Sequence, residues 1–145
     1  MIISKKIEID MAHRLPNHEG KCKNIHGHRY VIEVGVEGEI IIGNGKSDEG
    51  MVVDFGNLKK ILGETIDNPF DHSLVVYDGD ELKDVYEELE KRGQRINFVP
   101  FIPTVENLAK YWFELIGSRL TENNKIKLKF VRVWETSTST ATYEN

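Results

Sequence analysis

Four of the five histidines, His13, His18, His26 and His28, fall within sixteen residues, and the single cysteine, Cys22, lies among them. Neutral imidazole nitrogen is a borderline-soft ligand suited to zinc. Three protein ligands leave a fourth position open for water or substrate, which is the catalytic form of a zinc site. The pair His26-Gly27-His28 alone is also what two surface or core histidines look like, so the third imidazole decides. Cys22, four residues before His26, has three readings. It could be a fourth ligand that closes a structural site, a reactive thiolate kept near the metal and the imidazoles, or an inert packed thiol. Asp71-His72 places a carboxylate beside an imidazole, a pair that can move protons and that equally forms an ordinary turn. Glu135-Thr136 ends a strongly apolar segment. A carboxylate there is costly to bury unless paired. A ligand with two adjacent N–H donors would pair it in bidentate fashion, and so would a salt bridge to Arg132 or across a subunit contact.

The elements that must position these groups follow from the apolar period. Residues 5–13 alternate, with Ile7, Ile9, Met11 and His13 on one face. That is a half-buried strand. Residues 14–25 carry Pro16, Asn17, Gly20 and Asn24 and form a loop that holds His18 in solvent. Residues 26–36 alternate again, with His26, His28, Tyr30, Ile32, Val34 and Val36 together, and strand character is expected to continue through Ile40-Ile41-Ile42. Paired antiparallel across the loop, the first strand ends where the second begins. Period-two spacing then sends His13, His26 and His28 to one end of one face.

Asp54 can cap a helix with Phe55, Leu58, Ile61, Leu62 and Ile66 inward, ending before Pro69. Residues 80–92 read as a charge-rich helix stopped by Gly93, with Leu82, Val85, Tyr86 and Leu89 inward. Residues 94–99 suit a short strand. Thr104 can cap a third helix with Val105, Leu108, Ala109, Trp112, Leu115 and Ile116 on one stripe. Glu106, in its first turn, is explained by the helix dipole. Two strands follow, near 126–135 and 138–144. The first of these is apolar on both faces, with Leu128, Phe130 and Trp134 on one and Val131 and Val133 on the other. The order predicts an α+β domain over residues 1–145, with helices on one sheet face and another subunit as the cover for the second.

Composition narrows the function. Nineteen Lys and Arg against twenty-four Asp and Glu give a formal charge of −5, which disfavours bulk binding of nucleic acid. No apolar run approaches the roughly 18–20 residues that span a bilayer. The opening Met1-Ile2-Ile3-Ser4-Lys5-Lys6 reads as strand rather than signal peptide. One cysteine permits no intrachain disulfide and fits a reducing, cytoplasmic compartment.

His13-Arg14-Leu15, Gly20-Lys21-Cys22 and His26-Gly27-His28 resemble the 6-pyruvoyltetrahydropterin synthase family. So do Val53-Asp54-Phe55, Asp71-His72, Pro103-Thr104-Val105-Glu106-Asn107, and Glu135-Thr136 with the Tyr143 tail. The resemblance covers residues 7 to 143. It implies the tunnelling fold, a four-stranded antiparallel sheet with helices on one face. Trimers of that fold close a twelve-stranded barrel, and two trimers stack into a hexamer. It also implies that His13, His26 and His28 bind zinc and that Cys22 is the general base, assisted by Asp71 and His72. Glu135 would hold the pterin edge, and Thr104 and Glu106 would anchor the pterin from a neighbouring chain.

The three-residue gap between Cys22 and His26 resembles the 6-carboxy-5,6,7,8-tetrahydropterin synthase branch of the queuosine and 7-deazaguanine pathway. That branch converts 7,8-dihydroneopterin triphosphate to carboxytetrahydropterin, acetaldehyde and triphosphate. Triphosphate elimination to the pyruvoyl product, side-chain cleavage, or a zinc-stabilised binding protein without turnover are the alternatives. Residues 78–99 are longer than in the shortest family members.

Overall fold

The structure is a computed structural model and describes residues 1–120 and 126–145. β1 (Ile2–His13) and β2 (His26–Gly38) form a long antiparallel pair, with Ile7 opposite Ile32, Met11 opposite His28 and His13 opposite His26. Alternation buries Ile9, Met11 and His13 from β1, and Tyr30, Ile32, Val34 and Val36 from β2. β5 (Ile126–Thr136) pairs antiparallel with β2, and β6 (Ser139–Glu144) pairs antiparallel with β5.

These four strands are the expected antiparallel set, but the sheet is larger. β3 (Leu74–Tyr77) and β4 (Ile96–Val99) extend it to six strands in the order β4-β3-β1-β2-β5-β6. Both run parallel to β1, with Ala12 opposite Leu74 and His13 opposite Val75. The sheet is therefore mixed rather than purely antiparallel. Leu74-Val75-Val76-Tyr77 is a four-residue apolar run without alternation, and periodicity alone does not distinguish such a run from buried helix or loop. Conversely, Ile40–Ile42 is not strand. The β1 ladder ends at Gly38, where Met1 bonds through both main-chain groups, and Ile41 instead bonds to the main chain of Met51 and Gly50 across a loop. Ile42 is 85% exposed.

α1 (Phe55–Leu62) is capped by Asp54, whose Oδ1 accepts from the Gly56 N–H at 2.6 Å. It runs on through a π-turn, Gly63–Asp67, into the short α2 (Asn68–Phe70), so Pro69 sits inside the helical run rather than beyond it. Phe55, the first residue of α1, shares the stripe of Leu58 and Leu62 by its spacing but is 50% exposed, so the expected inward set starts at Leu58. α3 (Lys83–Lys91) ends at Gly93, whose φ of 86° lies in the left-handed region. It buries Tyr86 and leaves Val85 47% exposed. α4 (Val105–Leu120) starts at Thr104, whose Oγ1 accepts from the Asn107 N–H at 3.3 Å. Among the described residues, no helix is long and apolar enough to cross a membrane.

α1 and α4 cover the sheet face that carries Tyr30, Ile32, Val131 and Val133. Trp112 is fully buried at the centre, edge-on to Tyr30 with centroids 6.4 Å apart and to Phe70 at 5.7 Å. Burial of each such side chain stabilises the fold by about 1.5–3 kcal/mol. Leu128 departs from the simple alternation. A bulge between Gly35 and Val36 shifts the register, sets Leu128 opposite Val36 and turns it to the core beside Gly117.

Phe130 and Trp134 remain on the opposite face, where cations cover them. The Lys6 ammonium lies 4.6 Å from the Trp134 ring and the Arg132 guanidinium 5.2 Å from Phe130. Gly35 is what lets Phe130 lie flat, since a Cβ there would sit 2.1 Å from the ring. Gly35→Ala should therefore destabilise the protein by about 1–3 kcal/mol in urea unfolding. In a Phe130→Ala background that cost should fall to about 0.5 kcal/mol or less, because the two positions are coupled through one contact.

Candidate active site

The β1–β2 register brings three imidazoles together at the end of the buried sheet face. Ring centroids are 4.6 Å apart for His13 and His26, 5.0 Å for His26 and His28, and 5.3 Å for His13 and His28. One ligand nitrogen from each lies within 4.8 Å of the others. The rings are aimed by main-chain carbonyls. His13 Nδ1 lies 2.8 Å from the Pro103 carbonyl, and His26 Nδ1 lies 2.8 Å from the Asn24 carbonyl. A carbonyl only accepts, so each Nδ1 carries the proton and each Nε2 presents a lone pair. Those two Nε2 atoms are 3.1 Å apart. The third, His28 Nε2, is buried with no hydrogen-bond partner. An orphaned buried nitrogen costs about 1–3 kcal/mol. Burial, reinforced by the neighbouring rings, holds the His13 pKa below the usual histidine range against the opposing pull of Pro103 and Glu135. All of this fits a metal ion: three convergent imidazole nitrogens, two of them aimed by carbonyls, and one buried nitrogen that lacks a partner among the described residues.

Two groups that face this cluster extend it. Glu135, on the Val131/Val133 face, places Oε1 3.5 Å from His13 Nε2 and 3.8 Å from His28 Nε2. Arg132 is not its partner. That side chain lies on the other face, donating to Thr142 Oγ1 at 2.9 Å and approaching Glu33 at 3.8 Å. Tyr30, unassigned from the sequence, donates to Glu135 Oε1 at 3.4 Å and sits 3.3 Å from His13 Nδ1. Burial, and then the Glu135 carboxylate, push its hydroxyl far above the ordinary phenol range, so it stays a donor. Its place two residues after His28 on the same face was the available signal.

Cys22 lies on a short 3₁₀ turn, Lys21–Lys23, and is half-buried. It falls outside the group of clustered ligand atoms, which is made by the three histidines alone among the described residues. The turn stands in the loop that joins His13 at the end of β1 to His26 at the start of β2. Thr104 and Glu106 sit at the start of α4, directly after the carbonyl that holds His13. Thr104 is half-buried and Glu106 exposed. His18 is exposed, and its ring accepts from the Gly20 N–H.

Asp71 and His72 stand elsewhere. They precede β3, so β1 lies between them and β2. The Asp10 N–H donates to Asp71 Oδ1 at 2.9 Å, and the Asp10 carbonyl accepts from the His72 N–H at 2.7 Å. Asp71 Oδ2 meets His72 Nδ1 at 2.8 Å. Partial burial pushes the Asp71 carboxyl up, but the Asp10 N–H and the His72 ring together hold it below the usual carboxylate range. Arg95 steadies the turn by donating to the carbonyls of Asp71, Asn68 and Pro69. The His72 side chain is 73% exposed. Among the described residues, no hydrogen bond or ion pair joins this dyad to Cys22 or the three histidines. Of the nearby cations, Arg29 is held by both Asp10 oxygens and Arg14 by Asp80 and Glu81, while Lys21 and Lys23 are exposed.

A mixed α+β sheet with three convergent imidazoles beside a carboxylate defines an enzyme-like centre able to hold a metal ion. The family model described as 6-pyruvoyl tetrahydropterin synthase matches residues 2–145, and the chain belongs to that family. The 6-carboxy-5,6,7,8-tetrahydropterin synthase of Haemophilus influenzae is 35% identical over 143 residues, covering 98% of this chain and 97% of that protein. The protein of the same name from Aquifex aeolicus is 39% identical over 132 residues, covering 86% and 76%. In three dimensions the chain is similar to an uncharacterized protein from Wolinella succinogenes, with a TM-score of 0.83 at 23% identity over 100% of this chain and 98% of that one. The 6-pyruvoyl tetrahydropterin synthase of Plasmodium vivax gives 0.67 at 19% identity, covering 100% and 98%. These likenesses establish the fold.

Replacing His13, His26 or His28 singly by Ala should remove most bound metal after dialysis, measured as moles of metal per mole of protein by mass spectrometry. Cys22→Ala should keep the wild-type ratio. A fall with Cys22→Ala as large as with His13→Ala would place the thiol among the ligands.

Proposed function

We propose that the protein is a zinc-dependent lyase that acts on 7,8-dihydroneopterin triphosphate and one water, giving 6-carboxy-5,6,7,8-tetrahydropterin, acetaldehyde and triphosphate. The observation that carries this reading is the convergence of three imidazoles, two with their Nε2 lone pairs fixed by carbonyls at Nδ1, beside a carboxylate that has no Lys or Arg partner among the described residues. Among the described residues, the ion-pair partners of Glu135 are only the His13 and His28 rings. The names of the relatives support the carboxy branch, as does the three-residue gap from Cys22 to His26.

His13, His26 and His28 would hold zinc, which supplies Lewis-acid stabilisation to the hydroxyl-bearing side chain of the substrate when bound. Glu135 accepts the two N–H groups of the pterin's amidine-like edge, oriented by the Tyr30 hydroxyl. Cys22, off the metal, takes a proton from a side-chain carbon as thiolate. Asp71 and His72 assist proton transfer, and the exposed position of His72 suits a pocket completed by a neighbouring copy. Thr104 and Glu106 contribute to anchoring the pterin. Residues 1–145 act as one pterin synthase domain, assembling to trimers and hexamers in the cytoplasm as part of queuosine biosynthesis.

Purified protein loaded with zinc should release acetaldehyde from dihydroneopterin triphosphate and stop doing so with chelator. Cys22→Ala should lower kcat by about 10²–10⁴-fold. Formation of a pyruvoyl product without acetaldehyde would move the activity to the triphosphate-eliminating branch. Undiminished turnover by Cys22→Ala would end the general-base assignment.

A further inference from the structure

The Lys21–Lys23 turn that carries Cys22 buries none of its own residues. It has no apolar anchor, and a short exposed turn of that kind is ordinarily mobile. What holds it comes from outside. The Leu15 N–H donates to the Cys22 carbonyl at 3.0 Å, and Arg14 Nε donates to the Lys23 carbonyl at 2.7 Å. Arg14 directly follows the ligand His13, and its guanidinium does not reach solvent. Its Nη1 donates to Asp80 Oδ1 at 2.6 Å and approaches the Tyr86 hydroxyl at 3.5 Å, and its Nη2 donates to Glu81 Oε1 at 2.9 Å. Arg14, Asp80 and Tyr86 are all buried.

The acid is itself fixed. Asp80 Oδ1 accepts from the Leu82 N–H at 2.9 Å, and Oδ2 accepts from the Tyr86 hydroxyl at 3.3 Å. The Asp80 N–H donates to the Tyr77 carbonyl at 3.0 Å, which ties the acid to the end of β3.

A buried ion pair is a poor way to gain stability, because desolvation offsets most of the attraction. It is a good way to fix a direction, since the planar fork accepts few geometries. We infer that Arg14 is a positioning residue for Cys22. Held by Asp80 and Tyr86 from the 78–99 segment, it clamps the Lys21–Lys23 turn in the loop between the ligands His13 and His26. The 78–99 segment then has a function. It is the buttress behind the thiol, reached through one side chain. This inference rests on Cys22 acting at the site proposed above.

The test uses the zinc-loaded full chain. Arg14→Lys keeps the charge and loses the fork. Asp80→Asn keeps the volume and loses the charge. Tyr86→Phe is the mildest change and serves if either of the others fails to fold. At wild-type metal content, Arg14→Lys and Asp80→Asn should change the rate of Cys22 alkylation by iodoacetamide about fivefold or more. Both should also lower kcat about 10–100-fold, with KM for dihydroneopterin triphosphate nearly unchanged. Tyr86→Phe should follow in the same direction by a smaller factor.

An alkylation rate equal to wild type in the folded, metal-loaded variants overturns the inference. So does a kcat loss that vanishes when activity is expressed per metal-loaded site. Cys22→Ala separates the two levels. If it retains full turnover, the general-base reading falls, and the alkylation rates alone still decide whether Arg14 sets the thiol.

Discussion

The pairing of β1 with β2 is the constraint on which everything else depends. Side chains on a strand alternate with period two, so a slip of one residue between these strands would turn His26 and His28 out of the core while leaving His13 within it. The register is held by the apolar residues farther along the same face. Ile7 faces Ile32, Ile9 faces Tyr30, and both strands press against Trp112 and Leu58 beneath. The energy that sets the metal-ligand geometry is thus hydrophobic and lies well away from the nitrogens. The ligands contribute little to their own placement. Two of them borrow carbonyls from Pro103 and Asn24, and the third, His28, has no hydrogen bond at Nε2 among the described residues and only the longer approach of Glu135.

Much of this was legible in the chain, and the limits are physical. Alternation assigned His13, His26 and His28 to one face, because period two is a property of any strand. Asp54 and Thr104 marked helix starts, because their side-chain oxygens satisfy N–H groups that a helix leaves open. β3 was hidden because a four-residue apolar run carries no period. The turn of Leu128 toward the core was hidden because a bulge depends on the partner strand. The Ile40–Ile42 run shows the reverse failure, since β propensity alone makes no strand where the run closes a loop onto Gly50 and Met51. The place of Asp71 and His72 at the far edge of β1 from β2 could not be read from the chain, because it depends on which edge of β1 receives β3. Arg14 gave no sign, since its partners lie 66 and 72 residues away.

Charge is organised locally throughout. The chain carries a formal −5, yet its cations are not spread as a screen. Arg29 is taken up by Asp10, Arg14 by Asp80 and Glu81, Arg95 by main-chain carbonyls, and Arg132 with Lys6 by aromatic rings. Glu135 stands apart as a carboxylate that faces imidazoles rather than a cation. Within one framework, arginines are used to fix backbone and strand, while the unpaired carboxylate is kept for a partner that arrives later.

The contact between His13 Nδ1 and the Pro103 carbonyl joins the ligand set to the spacer that leads into α4. Residue 103 is a proline, so it has no N–H to offer in place of that acceptor, and its backbone angle is stiff. The spacer between β4 and α4 therefore cannot be lengthened or trimmed as other surface connections can. Each added residue would move the carbonyl that decides which nitrogen of His13 carries its proton. In divergent descendants of this chain, length variation should collect in the loop after β2 and stop short of the four residues that link Val99 to Thr104.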